Sequence, residues 1–184
     1  IVCRSTLTNP ADGCVPFNAF GVGVNDPAAV NYVTGRAIRN DVLEQNVAAA
    51  NLTGSPFSTW AGPVSIALGV EHRYESVRGL ASALDEANAF AGGNYHASFG
   101  NYKVTEGYLE ADVPLLRDSA LGRSLDLNGA VRRTGYSTSG GVTTWKLGAV
   151  YAPVDGIRFR ATRSRDIRAP NLGELFSAGQ SATG

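Results

Sequence analysis

The sequence predicts an all-β fold, an antiparallel up-and-down meander of six strands, and three observations predict it. From Leu43 onward apolar and polar residues alternate with a period of two, the pattern of a strand with one dry and one wet side. The alternating runs are long, about a dozen residues at their clearest, against the five or six typical of globular sheets. The connections between runs alternate short and long with one exception, which a meander explains because every second turn lies on the same side.

Residues 1–42 read as a long loop, aperiodic and punctuated as in "CVPFNAFGVGVNDP". The only two cysteines, Cys3 and Cys14, bound "CRSTLTNPADGC", where Asn9, Pro10, Asp12 and Gly13 let the chain turn back on itself. A local disulfide in an oxidising compartment is the expectation, and two unpaired thiols are the alternative. Asp26 and Pro27 supply a cap and a first turn, and Val30, Val33 and Ala37 follow at helical spacing, so a short helix is expected there.

The first strand, residues 43–54, alternates weakly. The second, within residues 63–76, is the clearest: Val64, Ile66, Leu68, Val70, His72 and Tyr74 fall on one face, and Ser65, Ala67, Gly69, Glu71, Arg73 and Glu75 on the other. A third covers residues 102–113. The fourth, 124–136, sets Leu125, Leu127, Gly129 and Val131 against Asp126, Asn128, Ala130 and Arg132. The fifth sets Trp145, Leu147, Ala149 and Tyr151 against Lys146, Gly148 and Val150, and the sixth sets Ile157, Phe159 and Ala161 against Arg158, Arg160 and Thr162. "SPFSTWAGP", "PLLRDSALGR" and "PVDG" are compact connections. The long ones are residues 1–42, residues 77–100 and whatever follows Arg168, and "STSGG" is the short exception.

Sixteen basic and sixteen acidic side chains cancel across 184 residues, so no long-range field draws nucleic acid, and none is expected as a partner. No apolar run approaches the roughly 18 to 20 residues of a spanning helix, which leaves a barrel open, since barrel strands need only about 10 half-apolar residues. The chain begins at Ile1, has no methionine and shows no signal-peptide pattern, and it reads as a mature portion or an internal piece. Patterning alone serves a membrane barrel and a soluble β-sandwich equally. Tyr74, Trp145 and Tyr151, near strand ends on the dry face, suit an interfacial belt or ordinary core packing.

The stretch "RDIRAPNLGELF" resembles the segment of TonB-dependent outer-membrane receptors in which a strand continues into an "RAPNxxELF" loop, matched here by Arg168, Ala169, Pro170, Asn171, Glu174, Leu175 and Phe176. "GCVPFNAFG", "NLTGSPFSTWAGPVSIALGVEHRYES" and "VTEGYLEADVPLL" are similar to the same family, in the family's order, over most of the chain. The resemblance implies a segment of a 22-stranded transmembrane β-barrel in the outer membrane of a Gram-negative bacterium. It further implies a plug domain in the lumen, a small nutrient such as an iron–siderophore, cobalamin or a glycan bound at the outer face, and import driven by the TonB complex. It implies a transporter rather than an enzyme, and no cofactor. Neither a plug sequence nor a TonB box is visible, and TonB would act through an N-terminal region missing from this chain.

On this reading residues 1–42 form an extracellular loop, residues 43–168 supply six barrel strands with short periplasmic turns, and residues 169–184 begin another extracellular loop. Pro170 ends the hydrogen-bonding ladder where the chain leaves the wall, and loop packing is preferred to ligand contact for this motif. The wet-face charges Glu71, Arg73, Glu75, Glu106, Glu110, Asp112, Arg132, Arg158 and Arg160 would line the lumen and meet the plug or one another. The alternative is a soluble β-rich module binding glycans or protein. Catalysis is not expected: Glu106 and Glu110 would stand about 13 Å apart by strand rise, too far for paired carboxylates of a retaining glycosidase. His72 and His96 lie in no metal spacing, and "GVGVND" lacks the spacing of a dinucleotide loop. As a separate piece the chain would expose unpaired strand edges and self-associate in water.

Overall fold

The computed structural model describes residues 1–179. Two compact units are distinct: one comprises residues 42–78 and 98–177, the other residues 1–41, 79–97 and 178–179.

The larger unit is built on one antiparallel sheet of six strands in sequence order: β1 (Arg39–Thr59), β2 (Gly62–Ala81), β3 (Ser98–Ser119), β4 (Gly122–Tyr136), β5 (Gly140–Ala152) and β6 (Phe159–Arg165). The expected meander is therefore observed, and the first three strands are longer than alternation indicated. β1 begins inside the stretch expected to be loop, and "SPFST" continues it instead of forming a connection. Residues 114–119, expected as a connection, continue β3 past a register shift between Pro114 and Leu116. Proline has no amide to donate, and the bulge absorbs that gap in the ladder. β6 starts at Phe159, not Ile157, and ends at Arg165.

Trp60–Ala61 and Ala120–Leu121 form tight turns, each followed by a glycine at positive φ, Gly62 at +140° and Gly122 at +142°. A side chain there would be strained, so glycine is the residue that lets the chain reverse. After β6, Asn171 caps a short helix, α3 (Leu172–Phe176), within the stretch expected to begin an extracellular loop.

In the smaller unit Cys3 and Cys14 are disulfide-bonded. Asp26 accepts from the amide of Ala29 and caps α1 (Pro27–Val33), the helix expected there. A further turn, α2 (Ala83–Glu86), is capped by Ser82. Asp85, fully buried, ties this unit together: its carboxylate accepts from the Ile38 amide (2.9 Å), the Tyr95 amide (3.1 Å) and the Ser82 hydroxyl (2.6 Å). Burial pushes its pKa up, but the hydrogen bonds from Ser82, Ile38 and Tyr95 outweigh this and hold it below the ordinary 3.8.

Candidate functional site: the two faces of the sheet

The register sorts side chains into two faces. Glu106, Tyr108, Glu110 and Asp112 of β3 lie opposite Thr134, Arg132, Ala130 and Asn128 of β4, and the row continues through Thr144, Lys146 and Gly148 to Ser164, Thr162 and Arg160. The intervening positions, Leu109, Ala111, Val113, Leu127, Val131, Leu147, Ala149, Phe159 and Ala161, form the other face. β2 joins the same scheme. His72 Nδ1 lies 2.8 Å from the Thr105 hydroxyl on the apolar side, and Glu75 meets Tyr102 of β3 on the polar side.

The apolar face is open. Val64 is buried at the turn end, but Leu68, Val70 and Leu147 are 44%, 60% and 62% exposed, and Leu109, Val131 and Phe159 are also exposed. A soluble sandwich would cover such side chains with a second sheet, because exposing a band of this kind to water forfeits the burial that drives folding.

Several charges of the polar face are paired within it. Arg73 lies between two acids, 3.3 Å from Glu71 and 2.9 Å from Glu75. Glu75 also accepts from Gln45 of β1 (2.9 Å) and from the Tyr102 hydroxyl (2.6 Å). Arg132 donates to Glu106 at 3.1 Å while its guanidinium sits 5.4 Å from the Tyr108 ring centroid, and Thr134 donates to the second Glu106 oxygen. Arg117 grips Asp126 with two nitrogens, at 2.7 and 3.0 Å. Tyr108 reaches past β2 to donate to Asn51 of β1 at 2.9 Å, and this is possible because residue 69 is glycine: a Cβ there would collide with Asn51 and stand 2.6 Å from the Tyr108 ring.

Of the charges singled out in the sequence, Glu71, Arg73 and Glu75 thus form one cluster and Glu106 and Arg132 another. Glu110 lines an open depression of about 330 Å³ beside that second pair, with Tyr108 and Lys146. Asp112 and Arg160 border an adjoining depression of about 400 Å³. Arg158 lies just before β6, outside the ladder. Sequence reasoning missed Tyr102, Tyr108, Gln45 and Asn51, although the parity of β3 that selects Glu106 also selects both tyrosines.

The "RAPNLGELF" motif folds onto this same face. Arg168 grips Glu174 with two nitrogens at 2.6 and 2.8 Å, and Asn171 and Glu174 cap one another reciprocally, each side chain on the other's amide at 2.9 Å. The capping box aims α3 so that Leu172 is buried against Tyr102 and Val104, with Val77, Tyr136, Leu175 and Phe176 packed around them. Phe176 lies against the bare backbone of Gly100, where any Cβ would overlap the ring. Ala169 and Pro170 are half-buried.

A meander of long strands with one exposed apolar face and one charged, partly ion-paired face is the wall of a transmembrane β-barrel. The chain belongs to the TonB-dependent receptor family: a family model described as "TonB dependent receptor-like, beta-barrel" matches residues 9–184. No curated protein and no solved structure matched the chain. Members of this family are outer-membrane transporters for nutrient uptake rather than enzymes.

Proposed function

We propose that the chain forms part of the barrel wall of an outer-membrane receptor that actively imports a scarce solute, an iron–siderophore, cobalamin or a glycan, with energy delivered by TonB. The observation that carries this reading is the division of one sheet into an open apolar face and a charged, partly ion-paired polar face. Hydrocarbon accepts the first, and a hydrated lumen filled by a plug accepts the second.

In this arrangement the tight turns after β1 and β3 lie on the periplasmic side and residues 1–42 and 77–100 outside. β1, β2 and β3 are 21, 20 and 22 residues long. A bilayer needs only about 9 to 11 residues per tilted strand, so these three project well beyond it. Glu71, Arg73, Glu75, Glu106, Glu110, Asp112, Arg132 and Arg160 then face the lumen, where exchangeable ion pairs can hold a plug and release it at low cost. Asp85 and the disulfide hold the surface loops in a fixed shape, and solute choice falls to those loops.

Disrupting the gene in a Gram-negative host and measuring uptake of a radio-iron-loaded siderophore, cyanocobalamin and maltodextrin tests the proposal. Loss of one uptake, matched by a protonophore in the parent strain, is expected. All three uptakes persisting at parental rates would overturn it.

A further inference from the structure

We propose that the recess of the polar face bounded by Glu110 and Asp112 on one side and by Lys146 and Arg160 on the other is a binding site for a small zwitterionic solute. Its ammonium meets the acids, its carboxylate meets the bases, and it has the size of a di- or tripeptide. The inference rests on the reading above, in which this face lines the lumen, and it adds the charge class of a solute on its way through.

Ion pairing on the polar face is uneven. Glu71, Arg73 and Glu75 pair along β2, Arg132 pairs with Glu106, and Arg117 pairs with Asp126. In each case the partners sit on one strand or on two adjacent ones. Left over are Glu110 and Asp112 on β3, Lys146 on β5 and Arg160 on β6. Among the described residues, none of these side chains forms an ion pair or a hydrogen bond. Yet all of them line the same open depression of about 400 Å³.

The register explains why they do not neutralise one another. Glu110 lies opposite Ala130 and Asp112 opposite Asn128, so β4 separates both acids from Lys146, whose own β4 neighbour is Ala130. Arg160 stands one strand further off, opposite Val150. By strand spacing, the backbone that carries the acids is about 10 Å from that of Lys146 and about 14 Å from that of Arg160. The floor between these walls is low. Ala130 and Gly148 project little, and the Asn128 amide lies over the bare backbone of Gly148, where a Cβ would stand 2.5 Å from Asn128 Oδ1. Thr162, opposite Gly148, adds a hydroxyl beside that amide.

Two carboxylates facing two cations carry no net charge, so this recess selects by charge pattern. A singly charged ligand satisfies one wall and leaves the other unpartnered. A zwitterion forms charge-assisted hydrogen bonds at both ends, and Asn128 can donate to or accept from a peptide group between them. Arg160 offers the carboxylate a planar pair of donors, and Lys146 offers a mobile point charge. A neutral sugar gains none of these ionic contacts. The recess lies within the range of about 300 to 1,000 Å³ usual for small-molecule sites.

The test titrates the full-length receptor in phosphatidylcholine nanodiscs with triglycine, N-acetyltriglycine and triglycine amide, which carry both charges, only the carboxylate and only the ammonium. Triglycine should bind about 10-fold more tightly than either blocked form. The double variant Glu110→Gln, Asp112→Asn should lose the preference for triglycine over its N-acetyl form and keep that over the amide. Lys146→Gln with Arg160→Gln should do the reverse. Equal affinity of the parent for all three probes would overturn the inference, as would the parental preferences surviving in both double variants. Binding of no probe, the result if side chains of the plug fill the recess, would overturn it too. A bimane label at Ala130→Cys separates this inference from the reading beneath it. Quenching by nitroxide lipid would sink the lumenal assignment and the inference with it, whereas an unquenched label together with equal affinities would sink the solute site alone.

Discussion

Truncating Leu172 to alanine should undock α3 from the polar face, and the size of the effect follows from how the motif is held. Leu172 is 8% exposed and packs on Tyr102 and Val104, themselves 6% and 2% exposed. Leucine-to-alanine changes at buried sites cost about 2 to 5 kcal/mol, and because this cluster lies under one short helix the low end applies, about 2 to 3 kcal/mol. The capping box is worth less: Asn171→Ala should cost about 1 kcal/mol. The Arg168–Glu174 pair is the shortest contact in the motif, yet its side chains are 75% and 41% exposed, so Arg168→Gln should cost under about 1 kcal/mol. Hydrogen exchange across residues 170–177 of the membrane-embedded receptor reads these differences directly. Protection should fall roughly 30- to 150-fold for Leu172→Ala, about 5-fold for Asn171→Ala and less for Arg168→Gln. If Arg168→Gln released the segment more than Leu172→Ala, apolar packing would not be what holds the motif.

Three further outcomes are expected. Asp85 has a folded pKa held below its ordinary 3.8, so its contribution to the loop is present above that pH and is lost as pH falls through the lowered value. The Ile38 and Tyr95 amides should stay protected from pH 7 to about 5 and exchange freely well below about 4; protection unchanged at pH 2 would contradict the role given to the carboxylate. Gly69→Ala should break the Tyr108–Asn51 hydrogen bond across β2 and lower thermal stability by about 1 to 3 kcal/mol through overpacking, and a melting temperature equal to the parent's would show that the tyrosine moves aside freely. Cys3 and Cys14 are separated by 11 positions, so reduction should loosen only that local loop, by about 2 to 3 kcal/mol. Limited proteolysis under reducing conditions should cut within residues 3–14 and leave β1 to β6 intact, and equal cleavage of the strands would refute a local role.

Much of the sheet was legible because its chemistry is local. Each strand's own alternation states which side is apolar, and the register of β3 to β6 keeps those assignments except at Ile157 and Arg158, which precede β6. Strand ends were less legible. Pro56 and Pro114 read as punctuation, whereas the ladder runs through both, with a bulge at the second; whether a proline interrupts a strand depends on a neighbour's carbonyl. Two helix signals were present and went unread: Ser82 with Asp85, and Asn171 with Glu174, both at capping-box spacing. Contacts such as Tyr108 to Asn51, 57 positions apart, carry no local signature at all.

The most direct test places nitroxide labels at successive positions 126–131 and 145–150 of the receptor in a bilayer and compares relaxation by oxygen, which partitions into lipid, with relaxation by a water-soluble nickel chelate. Oxygen access should peak at the odd positions 127, 129, 131, 147 and 149 and nickel access at the even ones between them. Labels that respond equally to both reagents, or with the two parities exchanged, would contradict the assignment of one face to hydrocarbon and the other to a hydrated lumen.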